Sequence, residues 1–136
     1  MDKDFVKLLS EAEKVVGKRI LSDYADKGRV ACALLCQSGK IYTGVDLNAK
    51  TSIGFCAEVA AIADMIKHNE TRILKLVALS DSGVVYPPCG RCRELVRKIN
   101  HENADTQILL DKKGVKATLR ELLPHMWVTG RVDKVV

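Results

Sequence analysis

The feature that most constrains this chain is a pair of short cysteine motifs far apart in sequence, Cys56-Ala57-Glu58 and Pro88-Cys89-Gly90-Arg91-Cys92. Three cysteine thiolates with one corner of a tetrahedron left open to solvent is the ligand count of a catalytic zinc site, whereas a structural site closes all four corners. A lone Cys-x-x-Cys would fit a redox pair or half a zinc ribbon equally well. Here the third cysteine and Glu58, two residues beyond it, narrow the reading. A carboxylate so placed reaches the open corner without itself binding metal, and can carry protons there as base and then as acid.

The rest of the sequence has to bring these two motifs together. From Asp4 to about Asp26 the apolar residues Phe5, Leu8, Leu9, Ala12, Val15, Val16 and Ile20 recur at helical spacing, which predicts one long amphipathic helix ending near Gly28. Val30–Cys36 and Ile41–Val45, separated by Ser38-Gly39, read as an antiparallel hairpin. Helical spacing returns from Cys56 to about Lys67. Leu74–Leu79 reads as a strand, Cys89 to about Asn100 as a helix and Thr106–Leu110 as a strand. Lys112-Lys113-Gly114 is a turn, and Val115–Ala117 a short further strand. Thr118-Leu119-Arg120-Glu121 has the form of a capping box, with Pro124 limiting the helix it starts. Helices alternating with strands imply an α/β fold, a single domain over residues 1–136 with a mixed sheet of about five strands covered by helices on both faces.

In this arrangement Cys56 and the Cys89/Cys92 pair each open a helix, where exposed backbone N–H groups and the helix dipole favour thiolates. Three thiolates around one divalent ion leave an excess negative charge. Arg91, inside the turn, is the candidate to offset it through N–H donors to sulfur. Cys32 and Cys36 share one face of a strand and read as small buried hydrophobes. His68, His101 and His125 are assigned no metal.

Composition excludes several classes. An odd number of cysteines, five, argues against a disulfide framework. The net charge of +5 is spread among interleaved acids, and aromatic residues are only 4% of the chain. That leaves little material for stacking bases, so no nucleic-acid partner is expected. No run approaches the ~20 apolar residues of a membrane span. Met1-Asp2-Lys3-Asp4 lacks the pattern of a secretory signal, so no membrane association and a cytoplasmic location are expected.

The segments Val30-Ala31-Cys32-Ala33-Leu34, Tyr42-Thr43-Gly44-Val45, Cys56-Ala57-Glu58 and Pro88-Cys89-Gly90-Arg91-Cys92-Arg93-Glu94 resemble the cytidine deaminase family in order and spacing, over about residues 5–128. Cysteine at the first ligand position resembles its small nucleoside-deaminating branch. The Cys-Gly-Arg-Cys-Arg turn and Glu121-Leu122-Leu123-Pro124 followed by Trp127 look similar to the blasticidin-S deaminases.

The resemblance implies a three-layer α-β-α fold, one Zn²⁺ per subunit held by Cys56, Cys89 and Cys92, and Glu58 as the proton carrier. It implies hydrolytic deamination at C4 of a cytosine ring in a free nucleoside or nucleoside-like small molecule. Asp46 and Asn48 stand where the family usually has Asn-x-Glu for the sugar hydroxyls, in a loop about one residue short. With Ala57, Cys32 and Trp127 they form the implied substrate-binding set, and Arg91 the implied charge partner of the metal. A homotetramer is implied, with a stacking aromatic supplied by a neighbouring subunit. A deaminase of another amino-heterocycle and a non-catalytic zinc module remain as alternatives.

Overall fold

The structure, a computed structural model, describes residues 1–127, and residues 128–136 of the expected domain lie outside them. Its spine is β2 (Ala25–Cys36), which pairs antiparallel with β3 (Ile41–Ala49) along one edge and with β4 (Ile73–Ser80) along the other. β1 (Arg19–Ser22) takes the part of β2's edge, residues 25–27, that β4 leaves free. The sheet continues through β5 (Gln107–Leu109), parallel to β4, and β6 (Lys116–Thr118), antiparallel to β5. It is a mixed sheet of six strands, the added one being β1.

Alternation along β2 divides the core. Ala31 and Ala33 face α1 (Lys3–Val15), packing with Phe5, Leu8 and Ala12. Cys32, Leu34 and Cys36 point to the other face, among Ile62 and Met65 of α2 (Ala57–Lys67) and Val96 of α3 (Gly90–Ile99). The expected three layers and the reading of Cys32 and Cys36 as buried apolar groups both hold. Because β3, β4 and β5 run in one direction, α2 and α3 are consecutive crossovers. Right-handed crossovers progressing the same way across a sheet place their helices on one face. Both helices therefore start side by side at the carboxyl ends of β3 and β4.

The first helix is shorter than its periodicity predicts. It stops at Val15, and residues 19–22 form an exposed strand. Gly17, at φ +150°, donates its N–H to the Gly28 carbonyl at 2.8 Å, and a Cβ on Gly28 would lie 2.0 Å from the Gly17 carbonyl oxygen. Two facing glycines let the chain fold back onto the start of β2. Ile20 satisfies helical spacing by coincidence. The capping box forms as read: Thr118 starts α4 (Leu119–Leu122), its side chain accepting from the Glu121 N–H while Glu121 accepts from the Thr118 N–H.

The contact that sets the depth of α2 is at Gly44 in β3, where an added Cβ would come within 2.3 Å of the Ala61 backbone nitrogen and 2.7 Å of the Ala60 Cβ. Helix and strand touch backbone to backbone. Gly44→Val therefore lifts α2 from the sheet and is expected to cost about 1–3 kcal/mol of stability, read as a lowered denaturation midpoint in urea.

Candidate active site

The loop from β3 to α2 is folded tightly. Leu47 and Phe55 exchange backbone hydrogen bonds of 3.0 and 2.9 Å, turning the chain back so that Cys56 becomes the N-cap of α2. At its tip Thr51 and Ser52 both adopt left-handed φ, 65° and 60°, which a β-branched threonine rarely does. From the next crossover Cys89 arrives as the N-cap of α3, with Cys92 one turn inside and fully buried.

The three cysteine sulfurs lie within 4.8 Å of one another, and those of Cys56 and Cys89 are 3.8 Å apart. Ligands ~2.3 Å from a tetrahedral zinc sit about 3.8 Å from each other, so the cluster has the dimensions of one ion's first shell. Its electrostatics agree. Burial pushes the Cys56 thiol up, and burial pushes Cys92 up further, with Glu58 and the two other sulfurs adding to the effect. Burial opposes ionisation of Cys89 as well. There hydrogen bonds from the Cys92 backbone N–H, the Cys92 and Cys56 thiols and the Arg91 backbone N–H together outweigh it and hold the thiol below its ordinary value. The helix starts thus favour the thiolate as the sequence suggests, but they win outright only at the most exposed of the three cysteines. Three sulfurs this close become thiolates together only with a cation among them.

Glu58, in the first turn of α2, is 4% exposed. Burial raises its carboxyl above the ordinary value, the Asp46 carboxylate adding to this. Its own backbone N–H and the Cys92 thiol pull the other way without overcoming burial. Cys56, Cys89 and Glu58 line a cavity of 580 Å³, which Asp46, Asn48, Ala57 and Arg91 also line, with Cys92 buried behind it.

Asp46 is already engaged. One carboxylate oxygen accepts from the Val30 N–H at 2.8 Å, where the register between β2 and β3 slips, and the other accepts from Asn48 Nδ2 at 2.8 Å. Asn48 Nδ2 also donates to Asp26 at 3.2 Å. What these two residues retain for a ligand is the spare lone pairs of Asp46 and the carbonyl oxygen of Asn48.

The structure places three further expected residues as follows. Among the described residues the guanidinium of Arg91 makes no hydrogen bond to a cysteine sulfur. It is exposed on the cavity wall, and only the Arg91 backbone N–H acts on Cys89. Cys32 is fully buried beside its cross-strand partner Ala78, packed in the core with Ile62 and Met65, and is not among the cavity-lining residues. Trp127 is 68% exposed on the outer side of α3, its N–H donating to Glu94 at 3.1 Å and its ring under Lys98 Nζ at 5.0 Å.

Two residues that the sequence reading missed, Phe55 and Tyr86, put partly exposed aromatic rings on the cavity wall. The usable signal was their nearness to the motifs: Phe55 precedes the first ligand, and Tyr86 precedes the Pro87-Pro88 pair leading to the second.

The family model of the cytidine and deoxycytidylate deaminase zinc-binding region matches residues 4–105. A cytidine deaminase of Mycobacterium tuberculosis is 30% identical over 96 residues, 70% of this chain and 69% of the relative. A blasticidin-S deaminase of Bacillus cereus is 30% identical over 126 residues, 84% of this chain and 88% of the relative. Among solved structures, the cytidine deaminase of Mycobacterium tuberculosis is similar with a TM-score of 0.75 and 28% identity, over 93% of this chain and 99% of the other. That of Mycobacterium leprae gives a TM-score of 0.74 at 26% identity, over 91% and 100%.

With the zinc-binding region matched and the sulfur cluster of the right size, removing one ligand is a direct test. Cys89→Ser, at the most exposed of the three, is expected to leave the fold intact by circular dichroism while stoichiometric zinc, measured by elemental mass spectrometry, is lost.

Proposed function

We propose that this chain, which belongs to the cytidine and deoxycytidylate deaminase family, removes the 4-amino group from the cytosine ring of a free nucleoside or nucleoside-like compound, with cytidine, deoxycytidine and blasticidin S as the candidate substrates. The family makes it a zinc-dependent hydrolytic deaminase. The observation that carries the proposed residue roles is a buried carboxyl, Glu58, lining the same cavity as Cys56 and Cys89, whose sulfurs gather with that of Cys92 around the space of one ion.

Cys56, Cys89 and Cys92 would hold the zinc, which supplies a Lewis acid that makes a water easier to deprotonate. Glu58 takes one proton from the attacking water and gives it to the ring nitrogen, then moves the second from the new C4 hydroxyl to the departing amine. Water adds to C4, the C4–N bond breaks, ammonia leaves, and a carbonyl remains on the ring. Burial suits Glu58 to this work, because a carboxyl raised from its ordinary value holds a proton more readily between the two transfers. Ala57, Phe55 and Tyr86 give the ring apolar and aromatic walls, and Asp46, Asn48 and Arg91 offer polar contacts to the remainder of the substrate.

The polar wall bears on the choice among substrates. Much of the hydrogen-bonding capacity of Asp46 and Asn48 goes to the protein itself, which supports a nucleoside-like compound recognised differently from a ribonucleoside. The relative named blasticidin-S deaminase, aligned over 84% of this chain, supports the same reading. A homotetramer in the cytoplasm completes the proposal. Exposed apolar side chains at Ile20, Leu21, Tyr24 and Ile53 support association, and among the described residues no helix is long and apolar enough to cross a membrane.

Glu58→Gln separates catalysis from metal binding. It is expected to keep stoichiometric zinc and the wild-type unfolding temperature while ammonia release falls by about 10²–10⁴-fold, the usual range for losing a general acid–base. An ultraviolet assay over cytidine, deoxycytidine, cytosine, deoxycytidine monophosphate and blasticidin S tests the substrate. Blasticidin S or a free nucleoside is expected to react, and turnover of none of the five overturns the substrate class.

A further inference from the structure

Arg93 lies outside the cavity and has no part in the mechanism above, yet it holds the peptide units on both sides of one metal-ligating cysteine. Its Nε donates to the Pro88 carbonyl at 2.8 Å, and its backbone N–H donates to the Cys89 carbonyl at 3.0 Å. The second is the first intrahelical bond of α3, which any residue but proline makes here, so the bond to the Pro88 carbonyl is the arginine side chain's own contribution. The first of these bonds supplies what the local sequence cannot. Proline rings fix φ at Pro87 and Pro88, but rotation of the Pro88 carbonyl stays free, and that rotation sets the plane of the peptide entering Cys89. Cys89 itself has no side-chain capping bond to steady it.

The other end of the guanidinium reaches a different part of the chain. Nη1 donates to the Leu122 carbonyl at 3.0 Å, the last residue of α4. Next to Arg93 on α3, Glu94 accepts the Trp127 N–H. A planar guanidinium can serve two carbonyls in two directions at fixed spacing, which a lysine ammonium on a flexible stem does poorly.

We propose that Arg93 is a positioning residue that fixes Cys89 in its metal-binding orientation and ties that orientation to the C-terminal helix α4. This rests on the reading that Cys56, Cys89 and Cys92 hold zinc. It adds that retention of the ion depends on a clamp behind the site, anchored in part by a helix that touches neither metal nor cavity.

Arg93→Gln and Arg93→Lys test this, with Arg120→Gln as the control for losing an exposed guanidinium, since Arg120 pairs on the surface with Asp105 alone among the described residues. Zinc transfer to a chromophoric chelator is timed well below the unfolding temperature, and the visible absorption of the cobalt-substituted protein reports the geometry around the ion. Arg93→Gln is expected to release zinc about 10–100-fold faster, as loss of a group that orients a ligand does, and to shift the cobalt bands. Arg93→Lys should fall between it and the wild type, and Arg120→Gln should match the wild type.

Wild-type release and spectrum in Arg93→Gln overturn the proposal, even if its unfolding temperature drops, because a purely structural role would lower stability alone. Equal acceleration in Arg93→Gln and Arg120→Gln overturns it as well. Should the glutamine variant not fold, the lysine variant decides by the same two measurements. A wild-type protein that binds neither zinc nor cobalt overturns the reading beneath the proposal, whereas a metal-binding wild type with an unaffected Arg93→Gln removes only the role of Arg93.

Discussion

The site depends on one topological constraint: β3 and β4 run parallel with β2 between them, so the helices that follow them begin at the same edge of the sheet. Handedness puts α2 and α3 on one face, and the backbone contact at Gly44 seats α2 close against β3. Each helix presents a cysteine at its N-cap, and the two sulfurs come within 3.8 Å although their residues are far apart in sequence. Open α/β sheets place ligand sites outside the carboxyl ends of their parallel strands, and the cavity here follows that rule. The antiparallel pairing of β2 with both strands adds the Cys32–Leu34–Cys36 face on which α2 and α3 rest, giving the cysteine cluster a rigid floor.

How much of this was legible in the sequence varied with the range of the interactions involved. The helices of the two cysteine motifs, the hairpin and the capping box are set by local spacing, and each forms where its residues indicate. The convergence of Cys56 with Cys89 and Cys92 was legible too, because the required ligand count leaves few other arrangements. Local spacing misled at residues 16–26. Ile20 fits helical and extended spacing alike, and the deciding contact, Gly17 against Gly28, joins residues whose proximity exists only after β2 has formed. The same limit applies to Arg91 and Trp127. Position in a motif told which residues stand near the site, but the direction of each side chain was set by packing that the motif does not encode. Phe55 and Tyr86 were overlooked for the converse reason, since only the folded loops bring their rings to the cavity.

Electrostatics divides the labour among the four chemical groups. Burial works against charge on all of them, and only at Cys89 do the backbone N–H groups at the start of α3, together with the neighbouring thiols, overcome it. For Cys56 and Cys92 the metal itself must favour the thiolate, so binding an ion and releasing thiol protons are one event. Glu58 is different because nothing in its surroundings fully restores the charge that burial disfavours. A carboxylate in that position is a poor permanent anion and a good temporary one, which is the property a group needs to accept a proton and give it back.

The cavity wall shows how strain and satisfaction are shared out around such a group. Where β2 and β3 slip register, the Val30 N–H would lack a strand partner, and Asp46 supplies a carboxylate oxygen in its place. Asn48 then bridges Asp46 to Asp26, separating two acidic side chains with donors from one amide. Beyond Asn48 the chain passes through two left-handed residues, Thr51 and Ser52, at a cost of order 1–3 kcal/mol each. Such a loop persists only because both its ends are fixed, by the Asp46 bonds on one side and by the Leu47–Phe55 pairing that leads into α2 on the other. The polar residues of this wall are therefore the ones holding the irregular backbone in shape. The shape of this wall is coupled to loop stability, and a substitution at Asp46 changes both together.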